Sequence, residues 1–95
     1  MSNNIAKDTE GMQKIRTDMD MGNNLRRIRL ENGFTQDRLV ARLNLMGINN
    51  ITRAIYSRYE TGELNVPVSV LVALHCIYGC AYDKFFENLD AALSG

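Results

Sequence analysis

Three glycines, Gly33, Gly62 and Gly79, each close a stretch of helical period, and helix-starting residues, Thr35, Thr52 and Pro67, stand after the breaks. A chain interrupted this often can build only short helices, and short helices are stable only when their apolar faces are packed together. The stretches read as follows. Met21, Leu25, Ile28 and Leu30 carry a first helix, with Asp20 placed to cap it and Gly33 to end it. Thr35 caps a second over residues 35–43, with Leu39, Val40 and Leu43 as its apolar stripe; Arg38 stands where a capping box would have Glu. A loop rich in Asn and Gly, residues 44–50, precedes a third helix over residues 52–60, capped by Thr52 and stopped by Thr61 and Gly62.

Pro67 suits the first turn of a fourth helix, in which Val68, Leu71, Val72, Leu74, Cys76, Ile77 and Tyr78 are nearly all apolar, so this helix is expected to be the most buried element. Composition alone would also allow a buried strand there; the length of the run and its Leu and Ala favour helix. A short fifth helix over residues 83–89 turns Phe85, Phe86 and Leu89 inward. Five helices and no convincing strand make the class all-α. With 95 residues the chain is one domain, residues 21–89, preceded by an arm of residues 1–20, flexible or an accessory helix, and followed by a tail of residues 90–95. In the arm, Ile5, Met12, Ile15 and Met19 keep helical offsets that Gly11 interrupts.

Several function classes fall away. The uncharged run of residues 64–82 contains Asn65, Pro67, Ser69 and His75 and fails as a membrane span, and the polar N-terminus lacks the apolar core of a secretory signal, so a cytoplasmic protein is expected. Cys76 and Cys80 read as core thiols. His75 and Cys76 are helix neighbours that project about 100° apart and cannot act together as base and nucleophile. His75, Cys76 and Cys80 without a fourth ligand are a poor zinc set. No Gly-rich phosphate loop occurs. The expectation is no enzyme, no metal and no cofactor.

The formal net charge is zero, which at first argues against nucleic acid, but the charges are segregated. Residues 21–62 carry Arg26, Arg27, Arg29, Arg38, Arg42, Arg53 and Arg58 against Glu31, Asp37 and Glu60, a net of +4, while residues 1–20 sum to −1 and residues 63–95 to −3. Every cation in the middle segment is Arg, whose planar fork suits phosphates and guanine edges. On the third helix, Tyr56 and Tyr59 face the core with Ile51 or Ile55, leaving Arg53, Ala54, Ser57 and Arg58 together on the opposite surface. On its own this patch is equally a solvated helix face.

The order of pieces is more specific than any one of them. A helix ending at Gly33, then Phe34-Thr35-Gln36 opening a helix with Leu39 and Ala41, then Tyr56-Ser57-Arg58-Tyr59-Glu60-Thr61-Gly62, then Leu71-Val72-Ala73-Leu74, Tyr78-Gly79 and Tyr82-Asp83-Lys84-Phe85-Phe86, resembles the Cro/repressor-type (Xre family) helix-turn-helix domain. The resemblance covers residues 21–89 and implies a five-helix lambda-repressor-like fold. Two departures stand out. Residues 44–49 enlarge the turn between the two motif helices, as in a subset of such domains whose loop packs on the second helix, and Ala81 stands where a capping Ser is usual.

The resemblance implies a sequence-specific transcriptional regulator, a repressor, that binds double-stranded DNA as a homodimer on an inverted-repeat operator. Thr35 and Gln36 would clamp a phosphate at the start of helix 2 and Arg42 would meet another. Thr52, Arg53, Ala54, Ser57 and Arg58 would form the DNA-facing side of helix 3, with Arg53 on a guanine edge and Ala54 against a thymine methyl. Arg29 and Glu60 would pair between helices 1 and 3. The acidic C-terminal third, with Tyr82, Phe85, Phe86 and residues 91–93, is where a subunit contact is expected. The alternative is an interaction module of the same fold, antitoxin-like or an anti-repressor, with weak or no DNA binding.

Overall fold

The computed structural model describes residues 21–89; the expected arm, the Asp20 cap and the tail with residues 91–93 lie outside them. The order of elements is α1 (Gly22–Glu31), α2 (Gln36–Leu45), α3 (Arg53–Thr61), α4 (Val68–Tyr78) and a short 3-10 helix (Tyr82–Phe86). The all-α class holds, with four α-helices among the described residues where five were expected.

Local chemistry sets most of the boundaries. The Thr35 hydroxyl accepts from the Arg38 backbone N–H at 3.1 Å, and that of Thr52 accepts from the Ile55 N–H at 3.2 Å, so each satisfies a donor of the first turn that has no partner within its helix. Gly62 and Gly79 close α3 and α4 in the left-handed conformation, with φ of 82° and 66°, where a side chain would be strained. Pro67 stands one position earlier than expected, as the N-cap of α4. Met21 occupies the N-cap of α1 and makes no side-chain cap bond.

The core gathers Leu25 and Ile28 of α1, Leu39, Val40 and Leu43 of α2, Tyr56 and Tyr59 of α3, Val70, Ala73 and Leu74 of α4, with Ile51 and Phe85 closing it. Ile55 is only half-buried, so of the two isoleucines named with the tyrosines Ile51 is the core residue. Leu30 lies off the stripe of α1 and is 52% exposed. Gly22 sits where α1 crosses the end of α3: a Cβ there would stand 2.3 Å from the Glu60 carbonyl oxygen, so only glycine permits the approach.

Three expectations are corrected. α4 is not the most buried element: α1 buries five residues and α4 three, and Val68 and Val72 are 75% and 44% exposed. A helix lying on one side of a small core can hide only one stripe, whatever its composition. Cys76 is exposed and so is not a core thiol, while Cys80 is half-buried and packs against the edge of the core; His75 stacks on Tyr82 with ring centroids 4.1 Å apart and donates from Nδ1 to the Cys80 carbonyl at 2.7 Å. The expected fifth helix is instead a short 3-10 helix, Tyr82–Phe86. Its N-cap, Ala81, offers no side-chain acceptor, and the carbonyls of Phe85 and Glu87 accept from the buried Asn24 amide, both at 2.9 Å, instead of continuing a helix. At three residues per turn Phe85 and Phe86 cannot both face inward; Phe85 is fully buried, and Phe86 is exposed.

Candidate nucleic-acid interface

α2 and α3 pack against each other across residues 46–52, a turn held from within. Asn44, the next-to-last residue of α2 rather than the first of the loop, donates its side-chain amide to the carbonyls of Ile48 at 2.7 Å and Ile51 at 3.3 Å. Gly47 turns with φ of 100°, and Ile48 and Ile51 pack on the core. The enlarged turn is therefore anchored at both ends, and the helix pair it joins stays packed.

Behind the pair lies an ion pair. Arg29 Nε donates to Glu60 Oε2 at 2.6 Å and Nη2 to Oε1 at 3.0 Å, the two parallel bonds that a guanidinium fork and a carboxylate form best. The side chains are only 9% and 4% exposed. Arg29 Nη1 also donates to the Phe34 carbonyl at 2.8 Å, so one guanidinium ties α1 to α3 and to the segment that opens α2. The bond to Glu60 outweighs burial and raises the Arg29 pKa. Burial alone would push the Glu60 carboxyl up; hydrogen bonds from Arg29 and Gln36 overcome it and hold the group below its ordinary value. Burial pushes the nearby Tyr56 phenol well up, and the Glu60 charge adds to it.

Gln36 joins this network. Its Nε2 donates to Glu60 Oε1 at 3.0 Å, which uses one of its two amide protons, and the half-buried side chain stands at the start of α2. Thr35 is exposed beside it, its hydroxyl oxygen already accepting from the Arg38 N–H and its proton free to donate. The starts of α2 and α3 are neighbours, because Arg53 Nε lies 3.7 Å from Asp37 Oδ1. Thr52, Arg53, Ala54 and Arg58 are exposed and Ser57 half-exposed along α3. Arg58 Nε lies 3.6 Å from Glu63 Oε1. Both of these ion pairs are well exposed, and such pairs are weak enough to give way to a phosphate or a base.

Arg42 stands apart. Its guanidinium lies 5.9 Å from the centroid of the Phe34 ring, which meets Tyr78 of α4 edge-on, so its neighbours are on α4 and on the segment that opens α2. Sequence reasoning missed Asp37 as the neighbour of Arg53 and Asn44 as the brace of the turn. The signal for Asp37 was its place in the first turn of α2; Asn44 had none, since its role depends on carbonyls that only the folded loop presents. Among the described residues no cluster of His, Cys, Asp and Glu could hold a metal, and no helix is long and apolar enough to cross a membrane.

Two packed short helices, the first opening with Thr35 and Gln36 and the second exposing arginines from its first residue, define a helix-turn-helix DNA-binding regulator. A family model described as helix-turn-helix matches residues 25–85, and the chain belongs to that family, of the Cro/C1 type. No curated protein and no solved structure matches the chain.

Proposed function

We propose that the protein is a sequence-specific repressor that binds an inverted-repeat operator as a homodimer in the cytoplasm, with α3 in the major groove. The observation that carries this reading is the approach of Arg53 to Asp37, which puts the starts of α2 and α3 on one surface. A duplex laid there meets the α2 N-terminus, Thr35 and Gln36 with a phosphate while Arg53 and Ala54 reach base edges and Ser57 and Arg58 follow the groove. Arg29 and Glu60 do not touch DNA in this reading; they hold the two contact helices in register. Repression follows by occupancy of the operator. In vitro selection from a random duplex pool should return an inverted repeat, and the log of the binding constant should fall with log salt at roughly −0.9 per phosphate neutralised. Binding that ignores salt would overturn it.

A second reading has its own observation. Asp37 and Glu63 each stand near an arginine of the reading face, which lowers the positive potential there. An interaction module of the same fold, antitoxin-like or an anti-repressor, would show no gel shift on random DNA at low salt.

A further inference from the structure

The exposed side of α4 is unlike the solvent side of every other α-helix described. α1 carries Arg26, Arg27 and Glu31, α2 carries Asp37, Arg38 and Arg42, and α3 carries Arg53 and Arg58, all exposed or half-exposed. α4 instead shows Val68, Val72 and Cys76, four residues apart and hence on one stripe. His75 lies one turn from Val72, and the Tyr82 ring stacked on it extends the surface past the end of the helix. Residues 64–82 contain no Asp, Glu, Lys or Arg.

The geometry points to this face as the contact with a second copy of the same chain, two α4 helices meeting across a two-fold axis near Val72 and Cys76. The inference rests on the homodimeric reading above and names its interface. In an isologous contact each residue near the axis meets itself, so a charge there is set against an identical charge. Among the described α-helices α4 alone satisfies that condition, and its valines supply the apolar area. The contact is small: eleven residues span about 16 Å, so a stripe about 10 Å wide covers on the order of 160 Å², well short of the roughly 800 Å² per partner of a stable complex. The dimer therefore forms weakly in solution and is completed on DNA, where two adjacent half-sites raise the effective concentration of one copy for the other.

The test uses the full chain. Sedimentation of the reduced protein from about 1 µM to about 1 mM should show a reversible monomer–dimer equilibrium. Mild oxidation should cross-link the wild type and Cys80→Ser but not Cys76→Ser. Val72→Asp should abolish self-association while leaving the circular dichroism spectrum and half-site affinity unchanged, and should weaken binding to the full inverted repeat by at least about tenfold. Mixing Val72→Asp with Val72→Lys should restore association, which a merely misfolded variant could not do. A wild type that stays monomeric both in solution and on the inverted repeat overturns the inference, as does a dimer that Val72→Asp leaves intact, whether another face or another segment of the chain is then responsible. Self-association through α4 without DNA binding would sustain it and instead remove the repressor reading.

Discussion

Replacing either member of the Arg29–Glu60 pair by an apolar residue of similar size should be among the most damaging changes available in this domain. The carboxylate is reached by both Arg29 bonds and by Gln36, and both charged side chains are more than nine-tenths buried. Arg29→Met leaves a buried carboxylate with one neutral donor, and Glu60→Leu leaves a buried guanidinium with only the Phe34 carbonyl. Breaking a buried pair from one side costs about 3 to 5 kcal/mol, a large part of the roughly 5 to 15 kcal/mol that holds a domain folded. At about 4 to 8 °C per kcal/mol for a domain of this size, the melting temperature should fall by at least about 12 °C. The double variant removes both charges and should recover much of the loss, so a double-mutant cycle in urea, followed by circular dichroism, should show strong coupling. The same pair predicts an acid limb. The Glu60 carboxyl lies below its ordinary value of 4.5 when folded, so its contribution is complete above that value and is lost as pH falls through the lower folded value. Glu60→Gln should flatten that part of the profile. Single losses below about 1 kcal/mol, or losses that simply add, would refute the reasoning.

Arg53→Ala should cost about 1 to 3 kcal/mol on the selected operator and relax the preference at one position, whereas Gln36→Ala should weaken all sequences alike and leave the salt slope nearly intact; equal loss on every sequence from Arg53→Ala would make it a phosphate contact. Asn44→Ala removes two bonds to loop carbonyls and should destabilise by about 1 to 3 kcal/mol, with amide exchange rising first in residues 46–52; an unchanged exchange pattern would show that the turn does not depend on it. Gly22→Ala sets two effects against each other: alanine favours the helix by about 1 kcal/mol, but its Cβ meets the Glu60 carbonyl, and overpacking costs about 1 to 3 kcal/mol. The clash is with backbone that cannot swing away, so urea melts should show net destabilisation, and a more stable variant would disprove the close approach.

Whatever depended on a few adjacent residues was legible in the chain before it was folded. Thr35, Thr52, Gly62 and Gly79 bound their helices by chemistry that reaches no more than one turn, and the spacing of Tyr56 and Tyr59 set the inward side of α3. Features set by distant partners were not. Nothing near Phe85 announces that Asn24, 61 residues earlier, will take its carbonyl and stop a helix from forming. Apolar composition foretold that α4 would touch the core but not how much of it the core could cover, because that depends on the size of the other helices. Gln36 could be read as a phosphate ligand from its place at a helix start, while its bond to Glu60 needed α3 to be laid alongside.

The two bonds from Asn24 have a topological consequence. They fasten residues 85 and 87 to the first turn of α1, so the described chain enters at Met21 and leaves at Leu89 from the same corner of the molecule. A folded segment whose two ends lie side by side, as residues 21 and 89 do here, can be spliced into a surface loop of a host protein, or cut elsewhere and joined across those ends, without opening its core. The exposed segment between α3 and α4 is the natural place for such a cut, since a break there spares the braced turn and both helices that face DNA. Bent back on itself in this way, the chain is a cassette whose outline depends little on where its polymer begins.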